Sequence, residues 1–279
     1  MSYKIIVDSC CDLTDEMRAS GVFISVPLSL RIDDAEVVDD ENLNQAELLR
    51  AIAGAAGCPG SACPSPGDYL ARYDCGADRV YVVTLTSKLS GSYASAMTAA
   101  DLYMQEHPDA QLRVLDSRSA SAGETLIAMK IMELEAQGME FEALCKAVYR
   151  MIALQETVFV LEDLSFLQKN GRLTGLKAVL AKALHVYPIL GATPEGTIQQ
   201  VGMARGYKAA MTAFCEQIVR RCQELNAGRL VMAQCNCADR AEALAARILE
   251  KLPDLEIHTV CTGGISTLYA GNKGLIVSL

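Results

Sequence analysis

Histidine is scarce: the 279 residues hold three, His107, His185 and His258. None adjoins a serine or cysteine in an elbow of the G-x-S-x-G type, so the sequence offers no evident base for a hydroxyl or thiol nucleophile. The signatures G-x-x-x-x-G-K-[ST], G-x-G-x-x-G and H-E-x-x-H are absent too. Basic runs are missing and the formal net charge is −9. A surface of that sign repels nucleic acid over most of its area. No apolar run reaches the length of a membrane span. The opening MSYKIIVDSCCDLTDE turns acidic quickly and lacks the long apolar stretch of a signal peptide, so the cytoplasm is the expected location. Internal repeats and low-complexity linkers are not apparent.

Cysteine, by contrast, is plentiful, at eleven residues. The spacings do not form paired zinc motifs. Cys10 and Cys11 are adjacent, Cys235-Asn236-Cys237 is too tight, and Cys58, Cys63 and Cys75 have no nearby histidine. Reduced thiols serving as small apolar residues are expected, with no metal and no cofactor. Hydrophobic residues make up 51% of the chain, enough for a large core. The length exceeds one average domain, which makes two domains the default.

Strand and helix signals alternate through the first half. KIIVDS (4–9), VFISVPLSL (22–30), RVYVVTL (79–85) and QLRVLDS (111–117) read as strands. Helices are expected over 14–21, with Thr14 as N-cap, and over 43–57, 90–107, 123–138 and 140–154. In the last of these, Phe141, Leu144, Cys145, Val148 and Ile152 fall on one stripe. Such strand–helix units imply a parallel sheet covered on both faces. The second half differs. A strand at 156–161 precedes two helical segments, SFLQKNG and LKAVLAKAL. Residues 187–205 then read as two antiparallel strands around the turn Thr193-Pro194-Glu195-Gly196. A helix (207–226), a strand (229–235), a helix (238–251) and strands at 255–261 and 274–279 follow. The expectation is an α/β protein of two closely packed domains. Residues 1–155 form a parallel-sheet α/β/α unit, residues 156–279 an α/β unit with a mixed sheet, and a ligand cleft lies between them.

In such sheets ligands bind beyond the carboxyl ends of the strands. Four polar clusters fall there: Asp8-Ser9, Ser61 to Ser65, Thr86 to Ser92, and Asp116-Ser117. Ser90-Gly91-Ser92 opens a helix, whose first turn presents unpaired N–H groups and partial positive charge. Gly91 allows close backbone approach and a serine hydroxyl adds a donor, which suits a carboxylate or phosphate. Ser90 as a plain N-cap is the competing reading. CPGSACPSPGDY reads as a stiff, non-regular loop that could present Ser61 into a cleft or merely connect two elements. Arg172 follows a helix ending at Gly171, and Arg205 follows the second hairpin strand. Either could face an anion or form a surface ion pair. A catalytic alternative is a hydrolase or transferase acting on an acyl or phosphorylated small molecule through Cys10, or through Asp8 with Asp116.

These motifs carry a resemblance. IVDSCCDL, SACPSPGDY, LTSKLSGSYASA, FVLEDLSFLQKNGRL, PIL and RGYKA together resemble the DegV family of bacterial lipid-binding proteins, which includes the fatty-acid-binding subunits of fatty acid kinase. SACPSPGDY is similar to the family's T-S-x-P-S-P-x-x-[FY], with Ser61 in the Thr place, and LTSKLSGSYASA to its S-S-x-L-S-G-T-Y-x-S-A. The resemblance covers essentially the full length. It implies a non-enzymatic carrier that holds one fatty acid, such as palmitate or another C14–C18 acid, between two α/β domains. A separate fatty acid kinase would phosphorylate the bound carboxyl group. Carried over, the carboxylate ligands are Ser61, Ser90 and Gly91, with Arg172 and Arg205 at basic positions near the cleft mouth. Transient contact with a membrane surface stays open. One segment departs from the pattern. Where the family has I-G-T-H-x-G-P-G, this chain has GGISTLYAGNKGL (263–275), with Leu268 or Tyr269 in the place of the His. Thr267 and Tyr269 are the hydroxyls that could take over its role.

Overall fold

A computed structural model describes residues 2–173 and 185–279. The helix expected at LKAVLAKAL (176–184) lies outside the described residues. β1 (Tyr3–Asp8) and α1 (Asp15–Ala19) follow the sequence reading, with the Thr14 hydroxyl accepting the Met17 N–H. The single strand expected over 22–30 is instead two, β2 (Phe23–Val26) and β3 (Ser29–Ile32). Pro27 sits in the gap; it has no N–H to give a ladder, and the chain changes sheets across it. β4 (Ala35–Val38) and α2 (Gln45–Gly54) come next. The segment read as a non-regular loop contains β5 (Gly60–Ala62) and the start of α3 (Pro66–Tyr73). Ser65 and Asp68 form a reciprocal capping box there, and Pro66 occupies the first helical turn, where its missing N–H costs nothing. β6 (Arg79–Thr84), α4 (Ser92–Glu106), β7 (Gln111–Asp116), α5 (Ala122–Ala136) and α6 (Phe141–Leu154) complete the first half.

The second half runs β8 (Thr157–Val160), α7 (Ser165–Lys169), β9 (Val186–Ala192), β10 (Ile198–Arg205), α8 (Tyr207–Leu225), β11 (Arg229–Gln234), α9 (Ala238–Leu249), β12 (Glu256–Cys261), α10 (Gly264–Ala270) and β13 (Leu275–Ser278). α10 has no counterpart in the sequence reading. Its first N–H groups, on Gly264 and Ile265, are capped by the carboxylate of Asp39, 2.6 and 2.8 Å away. That partner lies more than 220 residues distant in sequence, so no local signal announces the helix.

The first-half sheet has the order β2-β1-β6-β7 and is parallel throughout. The second-half sheet, β10-β9-β8-β13-β11-β12, is mixed: β11 and β12 are parallel while β13 runs antiparallel between β11 and β8. A small antiparallel sheet, β4-β3-β5, was not anticipated.

The alternation along β1 shows how the parallel sheet is buried. Ile5 and Val7 meet α5 and α6 on one face, through Ile127, Ile131, Leu144 and Val148. Ile6 points the other way, toward Tyr69 and Tyr73 of α3 and Ala96 and Ala99 of α4. α5 is apolar nearly all round because two sheets enclose it. Its Ile127 and Ile131 pack on the parallel sheet, while Ala122 and Leu126 pack on Val231, Ala233 and Val260 of the mixed sheet. The opposite face of the mixed sheet is covered by α8 and α9, with Phe214, Ile218, Leu244 and Ile248 on Leu230, Met232 and Val277.

The β9–β10 hairpin reaches back to the first half. Thr86 Oγ1 donates to the Gly196 carbonyl at 3.1 Å, and Arg118 Nη1 donates to the Pro194 carbonyl at 3.3 Å. Gly196 has φ +90°, and a Cβ there would stand 2.9 Å from Arg118 Cα and overlap the Thr86 hydroxyl. Gly196→Ala is therefore expected to destabilise the fold by about 1–3 kcal/mol in urea unfolding. A loss under about 0.5 kcal/mol would show that the hairpin tip is not held as described.

Candidate functional site

The turn Leu85 to Gly91 is fixed from beneath by two carboxylates. Asp8, at the end of β1, accepts the N–H of Leu85 at 2.8 Å and that of Cys10 at 3.1 Å. Asp116, at the end of β7, accepts the N–H groups of Ser87 and Arg118, both at 3.1 Å. Within the turn, Thr86 takes the N–H groups of Leu89 and Ser90 on its carbonyl and that of Lys88 on its hydroxyl. Ser90 Oγ accepts the Ser92 N–H at 3.1 Å and lies 3.0 Å from Ser92 Oγ. The N-cap of α4 is Gly91, which corrects the reading of Ser90 as the cap; Ser90, one residue earlier, still takes the Ser92 N–H on its oxygen while its proton is to be placed. Gly91 precedes α4 with φ −78°, so handedness does not demand a glycine. Proximity does: a Cβ at 91 would stand 2.8 Å from Cys63 Sγ.

This turn forms one wall of a cavity of about 350 Å³ between the two halves, within the range of small-molecule sites. Ser61, Cys63, Ser90, Gly91, Arg172 and Tyr269 line part of it. Ser61 reaches it from β5, whose pairing with β3 sets Ser61 opposite Leu30. Its hydroxyl lies 2.8 Å from the Tyr269 hydroxyl. Arg172 spans both halves. Its Nε donates to the Leu89 carbonyl at 3.2 Å, Nη1 to the Asn170 carbonyl at 2.6 Å, and its guanidinium lies 5.5 Å from the Tyr269 ring centre. Among the described residues no carboxylate pairs with it. Much of the remaining wall is apolar, with Leu28, Leu85 and Leu89 from the first half and Phe159, Leu161, Leu167, Ile198 and Ile276 from the second.

Two of the candidate residues fall elsewhere. Thr267 is completely buried and does not line the cavity; its hydroxyl is engaged with Thr262 at 2.8 Å and with Gln45 Nε2 at 3.2 Å. It braces the loop before α10 instead. Arg205 is exposed at the end of β10 and lines a separate shallow depression with Lys208 and Glu216. At the position of the missing His, Leu268 is buried in a core cluster, and Tyr269 is the residue that faces the cavity. The alternative catalytic residues are committed to structure. Asp8 and Asp116 hold the turn, and burial pushes the Cys10 thiol well above its ordinary range. None of the three histidines lines the cavity.

Of a set of buried acids beneath the cavity, the sequence reading singled out only Asp8. Asp8, Asp12, Asp39 and Glu124 are all at most 4% exposed. Asp12 accepts the Gly263 N–H at 2.6 Å and the Ser121 hydroxyl. Glu124, in the first turn of α5, has no partner for either oxygen among the described residues. Burial raises all four acids, Asp8 to about 6 and Asp12 to about 7. Asp12 stands inside a motif quoted above, and Asp39 sits in the run Asp39-Asp40-Glu41, which looks like a solvated surface.

The family model "Uncharacterised protein, DegV family" matches residues 2–279. The chain belongs to the DegV family. Among solved structures similar to this DegV protein is a DegV family protein from Ruminococcus gnavus, refined with vaccenic acid. It is 46% identical with a TM-score of 0.96, and each chain is covered completely (100%). The Streptococcus pneumoniae Fatty Acid Kinase (Fak) B3 protein, loaded with linoleic acid, is 34% identical with a TM-score of 0.91, covering 100% of this chain and 99% of that one. A DegV family protein from Eubacterium eligens, loaded with heptadecanoic acid, is 28% identical with a TM-score of 0.90, covering 99% of each chain.

The buried acids make the stability of this DegV protein depend on pH. Asp8 and Asp12 hold protons more tightly when folded than at their ordinary value of 3.8. Their contribution is complete below that value and is lost as pH rises through about 6 and about 7. Unfolding free energy should therefore climb as pH falls from 8 to 5, by up to roughly 1.4 kcal/mol per pH unit per group. Asp12→Asn should flatten that slope in urea titrations. An equal slope in the variant would remove Asp12 from the account.

Proposed function

We propose that this DegV protein is a cytoplasmic carrier. It holds one long-chain fatty acid in the cavity between its halves and presents the carboxyl group to a fatty acid kinase, doing no chemistry of its own. The observation that carries this reading is the pair of hydroxyls on Ser61 and Tyr269. Two hydroxyls own two protons, and their mutual hydrogen bond uses one. The other is free to be donated to an anion. The Ser90 hydroxyl and Arg172 stand on the same cavity, and among the described residues no acceptor takes the Gly91 N–H. Together they are suited to a carboxylate. The apolar walls suit an alkyl chain. Burying about sixteen carbons at ~0.8 kcal/mol per CH₂ contributes on the order of 12 kcal/mol before the costs of binding. The fatty acids named for the three similar structures agree with this reading, and the Fak B3 name supports a kinase partner.

The family's usual histidine is replaced here. Tyr269 takes its place as the polar group on the cavity, and a phenol can orient a carboxylate by donating a hydrogen bond to it. The hydrolase or transferase reading has less support, since Cys10 is held protonated and Asp8 is sealed from solvent.

Solvent extraction of the purified protein followed by mass spectrometry should yield a fatty acid, and delipidated protein should bind added C14–C18 acids. Neither result being obtained would sink the carrier reading. Ser61→Ala and Ser90→Ala should each weaken binding by about 1–2 kcal/mol, roughly five- to thirtyfold in Kd. Unchanged affinity in both variants would place the carboxylate elsewhere. Acyl phosphate formation on the loaded protein with purified kinase and ATP tests the partner separately.

A further inference from the structure

The four buried acids have no role in the proposed function, yet they are wired to the cavity. Asp8 holds the N–H groups of Cys10 and Leu85, Asp12 holds that of Gly263 and the Ser121 hydroxyl, and Asp39 holds those of Gly264 and Ile265. Cys10, Leu85, Ser121 and Ile265 all line the cavity. Among the described residues no lysine, arginine or histidine forms an ion pair with any of the four. Glu124 stands out further: both its oxygens are buried, and they face another acid, Asp8, and the Cys10 thiol. A cavity suited to an anion therefore rests on a floor with up to four negative charges and no counter-charge.

We propose that ligand binding is proton-linked: when a fatty acid carboxylate enters this cavity, the buried cluster of Asp8, Asp12, Asp39 and Glu124 takes up protons from solvent. The inference rests on the carrier reading for the identity of the ligand. The cause is electrostatic. A new negative charge in a site of low polarity raises the cost of every ionised acid nearby. Asp39 has two N–H partners that favour its ionised form, so it is the last of the four to take a proton. Burial holds Glu124 well above its ordinary range, so it already carries a proton, and Asp8 and Asp12 are the groups left to take one. The titratable groups facing Glu124 are Asp8, Cys10, Cys11 and Asp12 from β1 and the loop after it, and Tyr69 from α3. Asp39, with Asp40 beside it, and Cys235 at the end of β11 face Asp12. Every one of these is neutral or negative when it titrates, so none supplies the missing positive charge. Asp8 at about 6 and Asp12 at about 7 put the cluster within reach of neutral pH.

The test is titration calorimetry of the delipidated full chain with myristate at pH 7, in buffers of different ionisation enthalpy. Net proton uptake is expected in the wild type, and less in Asp8→Asn and Asp12→Asn. Uptake of about half a proton corresponds to roughly a tenfold rise in affinity from pH 8 to pH 6. Tight binding without proton exchange would overturn the linkage while leaving the carrier reading intact. Absence of binding would overturn both. Uptake undiminished in the two variants would assign the proton to the ligand and overturn the proposal. Should the variants fail to fold, infrared difference spectra of the wild type with carboxyl-¹³C myristate decide the matter. A protonated-carboxyl band that grows at the unshifted protein frequency supports the cluster, and one that moves with the label refutes it.

Discussion

The Asp8 carboxyl group ties the parallel sheet to the cavity. One oxygen takes Leu85 at the end of the neighbouring strand β6, and the other takes Cys10, two residues further along its own chain. Those bonds set where the turn up to Gly91 begins, and hence where Ser90 and the start of α4 sit. The arrangement makes a buried acid a structural part. It also explains why carboxylates are so frequent around a site suited to an anion: Asp8, Asp12 and Asp39 serve the backbone, and their charge is the side effect. Each can be relieved of that charge by a proton without giving up all its bonds, because a protonated carboxyl still accepts on one oxygen.

The two halves share structure more than a boundary near residue 155 suggests. α5 belongs by sequence to the first half, yet its Ala122 and Leu126 are packed on the second-half sheet. Asp12 and Asp39, both from the first half, cap the segment that leads into α10. The hairpin tip at Gly196 is closed against Thr86. A rigid apolar helix, two carboxylate caps and a hairpin contact hold the cavity from three sides. A buried alkyl chain needs such closure, since its binding energy comes from contact area and not from a few directed bonds.

What the sequence made legible follows from local physics. Strand–helix alternation, the Thr14 cap and the Thr193–Gly196 turn are short-range signals, and the structure agrees with each. Ser61, Ser90, Gly91, Arg172 and Tyr269 share the cavity because motifs placed them at strand ends and helix starts. What stayed hidden depends on distant partners. α10 starts at Gly264 straight after Gly263, a poor local helix signal, and Asp39 caps it from far away in sequence. β5 is three residues long and exists by pairing with β3. Thr267 looked like a free hydroxyl because its second partner, Gln45, stands more than 200 residues away, even though Thr262 is close in sequence. Arg205 lies at a strand end as expected, but the hairpin carries it to the surface, away from the cavity.

Tyr269 shows how a replacement can preserve part of a site while changing its chemistry. It stands next to a buried leucine in a helix whose register puts one residue in the core and the next on the cavity. Its phenol bonds Ser61, and its ring lies under Arg172. The three residues come from three different elements: Ser61 from β5, Arg172 from the segment after α7, and Tyr269 from α10. A guanidinium above an aromatic face is favourable by about 0.5–1 kcal/mol at a partly exposed site, so the stack fixes the ring more than it stabilises the fold. Fixing the ring fixes the hydroxyl, and with it the direction of the one proton the Ser61–Tyr269 pair has left to donate. Orientation of a carboxylate at this wall of the cavity then depends on one donated proton whose direction three separate elements set.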